Sequence, residues 1–259
     1  MSTISAAAVA ALRKRTGVSI LACKSALEEA DGNEELAIEI LRKKGIANAV
    51  KKADREQSEG AIFVADDGVK AAVVVLKCET DFVARNEGFI ALGEELAKTL
   101  HKEGLDAGKA AADIRLPEAT LKLGENISIG EMQEIAAPVL AAYVHSNRKV
   151  AVIIGSAKTD VGAEKLKDVA MHATALNPSY VSPDEVPAEA IAKEREIWKE
   201  QLSKENKPAE IMEKIMTGKE KKFREENALL KQAFVKDPTQ TVEQYLGGAG
   251  VTAYVRITV

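Results

Sequence analysis

Residues 71–100, AAVVVLKCETDFVARNEGFIALGEELAKTL, decide the fold, because a continuous apolar run there gives way to an amphipathic one. Ala71 to Leu76 reads as a buried β-strand, and from about Glu87 the residues Phe89, Leu92, Leu96 and Leu100 recur at helical spacing. Between them, Thr80-Asp81-Phe82-Val83-Ala84-Arg85-Asn86 lies at the joint of two rigid elements and sets an acid beside a large aromatic. Phe82 has two readings. It caps the core beneath the helix, as a large apolar side chain ordinarily does, or it stands outward with Asp81 as a probe that enters a partner, since aromatic anchors dominate interface energetics. The residue types alone leave both open.

Outward from this joint the same order recurs. Ala61 to Ala65 and Lys70 to Cys78 flank Asp66-Asp67-Gly68, a turn cluster in which Gly68 can supply a positive φ, so a hairpin precedes the helix. Val139 to His145 and Lys149 to Ser156 flank Ser146-Asn147-Arg148 in the same way, with Leu166, Val169, Ala170 and Ala173 marking a helix behind them. That pattern reads as an internal duplication giving an α+β core with two halves, residues 61–137 and 138–259. Val251 to Val259 places Val251, Ala253, Val255, Ile257 and Val259 on one face and should add a strand to the second half. Residues 187–231 break the pattern: Ile191, Trp198 and Leu202 on one arm and Ile211, Ile215 and Phe223 on the other make a sparse seam. Such a seam suits an antiparallel, coiled-coil-like helical hairpin inserted in the second half.

Ahead of the core, residues 1–47 read as three short helices. The first carries Val9 and Leu12 and stops at Gly17; the second starts from Ser19 as N-cap and puts Ile20, Cys23 and Leu27 on one face. The third has Asn33 as N-cap, Glu34 and Glu35 in its first turn, and Lys43 and Lys44 in its last, as the helix dipole favours. The bundle resembles a ubiquitin-associated-type module, which binds rather than catalyses. Residues 48–60 (NAVKKADREQSEG) are polar and read as a linker.

The chemistry inventory is thin. At 259 residues the chain suits about two domains, with 46% hydrophobic but only 4% aromatic residues, so its core is mostly aliphatic. A net charge of -4 argues against direct nucleic-acid binding, which needs a basic face, and Lys51-Lys52 reads as solvated charge. Cys23 and Cys78 are too few for a disulfide framework or a metal site, consistent with a cytoplasmic protein. The N-terminal segment is broken by Arg13, Lys14 and Arg15 and is no signal peptide, and no run is long enough for a membrane. His101, His145 and His172 are scattered; His172, near the end of its helix, reads as partly solvated or dipole-paired. Cys78 beside Glu79 has no histidine near in sequence to activate it. Gly247-Gly248-Ala249-Gly250 lacks the Lys and Ser or Thr of a phosphate loop. No catalytic residue, cofactor site or metal site is expected.

TDFVARN closely resembles the TDFVA signature of the elongation factor Ts family. Leu12-Arg13 with residues 16–45 (TGVSILACKSALEEADGNEELAIEILRKKG), GENISI (124–129), VAMHATALNP (169–178), and the KP, TGK and KKF elements between Lys207 and Phe223 match in that family's order over almost the whole chain. The resemblance implies a guanine-nucleotide exchange factor, not an enzyme, that binds elongation factor Tu. It implies that Thr80, Asp81, Phe82 and Val83 form the partner site, with Asp81 and Phe82 pushing in beside the magnesium and phosphate elements. It further implies that the N-terminal module, through Leu12 and Arg13, grips the same domain elsewhere, and that residues 187–231 project as a hairpin. Many members continue past the last strand with a helix that touches the partner, whereas this chain stops at Val259, as either the family's short form or a chain cut there. The resemblance is also compatible with a higher-order complex. The rival from another class is an adaptor or chaperone-like module whose three-helix N-terminus binds peptides without affecting nucleotide.

Overall fold

A computed structural model describes residues 4–16, 18, 20–43, 55–203 and 208–259. The expected stop at Gly17, N-cap at Ser19, Lys44, linker residues 48–54 with Lys51-Lys52, and the hairpin tip around Glu205-Asn206-Lys207 lie outside the described residues. The chain is α+β: three short N-terminal helices, then mixed sheets and helices. It divides into two compact units, one of Met1–Ile135, Val144–Ala151 and Ile257–Val259, the other of Ala136–Tyr143 and Val152–Arg256.

In the first unit, α1 (Ala6–Thr16), α2 (Ile20–Glu29) and α3 (Glu34–Lys43) close around their own core of Leu12, Cys23, Ala26, Leu27, Ala37 and Leu41. Asn33 caps α3 as expected, its side-chain oxygen accepting the Leu36 N–H at 3.1 Å. Ile20 departs from expectation. It is 56% exposed, and Val18 takes the buried place at that end of the bundle.

β1 (Glu59–Asp66) pairs antiparallel with β2 (Lys70–Cys78) from Glu59↔Cys78 to Asp66↔Ala71, so β1 begins inside the stretch read as linker. Gly68 turns the hairpin at φ +87°. A one-turn helix, α4 (Asp81–Ala84), precedes α5 (Glu87–Glu103) and α6 (Leu105–Leu123), and β3 (Ser128–Ala136) completes a sheet of order β1-β2-β3. Phe89, Leu92, Leu96 and Leu100 of α5 are buried as their spacing requires, with the Phe63 and Phe89 rings 6.2 Å apart. Gly93 makes that fit: a Cβ there would meet the Phe63 ring at 2.2 Å. The sequence reading missed α6, Ala-rich with Pro117 inside it, and β3, whose residues are largely polar.

β4 (Val139–Val144), β5 (Val150–Ser156) and β8 (Ala253–Thr258), most of whose residues belong to the second unit, form a sheet of order β4-β5-β8, so the last strand joins as expected. Helix α7 (Ala163–Leu176) buries Leu166, Val169, Ala170 and Ala173. Helices α8 (Ala188–Ser203) and α9 (Ala209–Asn227) form a helical pair with its own apolar cluster of Trp198, Leu202 and Met216. Two expectations change here. Ile211 is 47% exposed, and Met216 provides the buried contact instead. Leu229, read as hairpin, is fully buried in the core with Phe234 and Val242, so the hairpin ends at Asn227. Short strands β6 (Ala233–Phe234) and β7 (Asp237–Thr241) and a last turn, α10 (Val242–Tyr245), follow, the Phe234 and Tyr245 rings stacking at 4.1 Å.

Candidate partner-binding site

β2 ends at Cys78, and two helix caps, Thr80 and Asn86, then follow. Thr80 is extended (φ -127°, ψ 156°), and its Oγ1 accepts the Val83 N–H at 3.4 Å while its carbonyl accepts the Ala84 N–H at 3.2 Å. Asn86 does the same for α5, its Oδ1 accepting the Gly88 N–H at 2.8 Å. Side-chain caps supply acceptors for N–H groups that a helix start leaves without partners. The single turn of α4 is thereby capped at its start, and the capped start of α5 follows two residues past its end. Ala84 is buried and Val83 packs partly against the same core, which turns Phe82 outward. Phe82 is 83% exposed, the most open of the large hydrophobic side chains among the described residues. Burying such a side chain is worth about 1.5–3 kcal/mol, a gain this ring forgoes in the free chain. Asp81, partly exposed, pairs with Arg85 one turn on at 3.1 Å.

Phe82 is therefore not the cap on the core that its position allowed. The turn of the β4–β5 hairpin flanks the tip, where Glu59, Asp81, Ala84, Arg85, Arg148 and Lys149 line an open groove. Its charges are already matched: Arg148 bonds Glu94 at 3.0 Å and lies 5.1 Å over the Phe63 ring, and Lys149 bonds Glu59 and, at 2.9 Å, the Gly60 carbonyl. The ring, not the groove, is the unsatisfied group.

The N-terminal pair separates. Leu12 is fully buried at the centre of the bundle core, whereas Arg13 beside it is exposed. Around Arg13 the structure gathers Val9, Ala10, Lys14, Ile20 and Lys24 along a shallow depression, with Leu21 also 54% exposed. The sequence held a signal for this. Ile20 and Leu21 are adjacent, about 100° apart on a helix, so both cannot join the Cys23–Leu27 stripe.

Catalytic alternatives find no assembly. Cys78 is buried, its Sγ donating to the Thr80 carbonyl at 3.2 Å, and burial, reinforced by the Glu125 carboxylate, pushes its pKa up to about 11. At neutral pH it is a thiol, not a nucleophile. His101 lies 3.3 Å from the Asp67 carboxylate beside the first hairpin. His172 is fully buried rather than partly solvated: its Nδ1 accepts the Val235 N–H at 3.1 Å and its Nε2 is 2.9 Å from Gln232 Oε1. That pairing fixes a neutral imidazole with its proton on Nε2, and burial lowers its pKa. Among the described residues, no group of three or more His, Cys, Asp and Glu could hold a metal ion, and no helix is long and apolar enough to cross a membrane.

A braced exposed aromatic and a second apolar patch are features of a surface that binds another protein. Comparison with known proteins gives the kind. The family model for elongation factor TS matches residues 79–259. The chain is 42% identical to elongation factor Ts of Marinobacter nauticus, covering 100% of this chain and 92% of that one. It is 45% identical to that of a Nitratiruptor species (96% and 88% covered) and 42% identical to that of Vibrio atlanticus (100% and 92% covered). The chain belongs to the elongation factor Ts family, the nucleotide-exchange factors of elongation factor Tu in translation elongation, which are not catalytic enzymes.

Proposed function

We propose that this chain releases GDP from elongation factor Tu by pressing Asp81 and Phe82 into the partner's nucleotide-binding domain, beside the elements that hold magnesium and phosphate. The observation that carries this reading is the 83% exposure of Phe82 on a turn capped at its start by Thr80 and followed at once by the capped start of α5. A rigidly mounted aromatic loses little conformational freedom on binding, so more of its burial energy is available to the complex. Mg²⁺ demands near-octahedral oxygen coordination, so a small shift of the elements around it weakens metal and diphosphate together. The action is coupling: the chain binds nucleotide-free partner more tightly than GDP-bound partner, and by linkage the nucleotide's affinity falls by the same factor. No bond is made or broken.

Thr80 and Val83 serve as the mount of the tip, the first by capping and the second by packing. Arg13, with exposed Ile20 and Leu21, is the second contact, and a separate core under this module supports treating residues 1–47 as a binding unit of ubiquitin-associated type. We read residues 61–137 and 138–259 as duplicated halves, the second reaching another domain of the partner, in a bacterial cytoplasm. The same reading includes a higher-order complex with elongation factor Tu. The test is release of labelled GDP from elongation factor Tu with and without the chain. The parent should accelerate it, Asp81→Ala/Phe82→Ala should not, and acceleration undiminished in a folded double mutant contradicts the proposal.

A further inference from the structure

We infer that Glu125 is a positioning residue that aims the Asp81–Phe82 tip; the inference rests on the probe reading above. Glu125 belongs to the GENISI segment, whose resemblance to the family carries no role by itself. The structure supplies one. Beyond Cys78, where pairing with β1 ends, the backbone N–H groups of Glu79 and Thr80 both donate to Glu125 Oε2, each at 3.0 Å. The Thr80 hydroxyl donates to Glu125 Oε1 at 2.5 Å. That same Thr80 oxygen accepts the Val83 N–H and caps α4, so the carboxylate holds the atom that starts the tip's helix.

The brace is reciprocal. Glu79 Oε1 accepts the Asn126 N–H at 2.7 Å, so each acid takes a backbone donor from the other's segment. Asn126 is tied in turn: its side-chain amide donates to the Arg55 carbonyl at 3.2 Å, and its carbonyl accepts from Gln57 Nε2 at 2.9 Å. Charge-assisted bonds of this kind are shorter and stronger than neutral ones. A four-residue helix cannot hold itself in water, since nucleation is unfavourable and no propagation offsets it. The direction of Phe82 is therefore set by its mount. Removing Glu125 takes the acceptor from two adjacent N–H groups and frees the capping hydroxyl to rotate.

A merely structural glutamate would change stability alone; a positioning glutamate must also be coupled to Phe82. The test is a double-mutant cycle of Glu125→Ala and Phe82→Ala, read by GDP release from elongation factor Tu and by thermal melting. Glu125→Ala should slow release roughly tenfold, within what a misplacement of about 1 Å can cost. In the Phe82→Ala background it should slow release no further, because there is no ring left to aim, while its effect on melting persists. Glu125→Gln should recover part of the rate: its amide oxygen can accept the two N–H groups and its NH2 can donate to Thr80 Oγ1. Slow release by Phe82→Ala together with an additive or absent effect of Glu125→Ala overturns the positioning role alone. Parental release by Phe82→Ala overturns the probe reading and this one with it. Should Glu125→Ala not fold, Glu125→Asp, whose shorter side chain cannot reach both N–H groups and the Thr80 hydroxyl together, takes its place in the same cycle, and a parental rate for Glu125→Asp overturns the role.

Discussion

Replacing Phe82 by Ala separates stability from function, because the structure sets the two magnitudes far apart. The residue is 83% exposed, so only about a sixth of its area is covered. Of the roughly 200 Å² that a Phe side chain can bury, that leaves about 35 Å², worth under ~1 kcal/mol at ~25 cal/mol per Å². For a chain of this length such a change moves the melting point by no more than about 4 °C. Phe89→Ala is the matched contrast: that ring is fully buried against Phe63, and its truncation should cost about 3–5 kcal/mol. Exchange should rank the two variants in the opposite order. A lever that carries about 1–3 kcal/mol of coupling accounts for about 5–150-fold in nucleotide affinity, and Phe82→Ala should forfeit most of it. Asp81→Ala should act in the same direction at little cost in stability, since its partner Arg85 is 81% exposed and open pairs contribute about 0–1 kcal/mol. Stopped-flow release of fluorescent GDP, paired with urea unfolding, reads both quantities. A loss of about 3 kcal/mol or more on Phe82→Ala would return the ring to the core, and a folded variant with the parental release rate would remove it from the mechanism.

Deleting residues 1–52 should leave cooperative unfolding of the remaining chain intact, because the N-terminal helices close their own core, and should weaken binding to elongation factor Tu; unchanged affinity by calorimetry would refute a contact there. Replacing residues 192–222 by a short flexible loop should preserve cooperative melting, since Trp198, Leu202 and Met216 pack among themselves; extending the deletion through Leu230 should abolish it by removing fully buried Leu229. Equal melting of the two deletions would show Leu229 to be dispensable. His172 is held neutral with a pKa below the usual 6.5, so between that value and its lowered folded pKa the unfolded chain binds more protons than the native one. Its contribution to stability should be complete above about pH 6.5 and decline as pH falls below it, and His172→Gln should flatten that decline; identical pH profiles would refute the assignment.

The regular elements were legible where one period held. The first hairpin, α5 and the last strand follow from alternation, Gly68 and the Phe89–Leu100 spacing, all local signals. Helix α6 was not legible, because small residues and an internal Pro117 blur its apolar face, nor was β3, whose alternation is largely polar. The site was half legible. The joint at Thr80–Asn86 is visible in the chain, but the outward turn of Phe82 depends on which neighbours of a four-residue helix enter the core, here Val83 and Ala84. Leu12 and Ile20 show the same limit from opposite sides, one a motif residue that proved buried and one a stripe residue that proved open. Burial of His172 and the hold of Glu125 on Thr80 depend on partners tens of residues away in sequence, Gln232 for the first, and no local pattern announces either.

The central claim is that the tip couples partner binding to nucleotide loss, and the most direct measurement is the chain's affinity for elongation factor Tu in its nucleotide-free and GDP·Mg²⁺ forms, by calorimetry. The account predicts tighter binding to the empty form by a factor of at least about five, with Asp81→Ala/Phe82→Ala drawing the two affinities together. Equal affinity of the parent chain for both forms would contradict it.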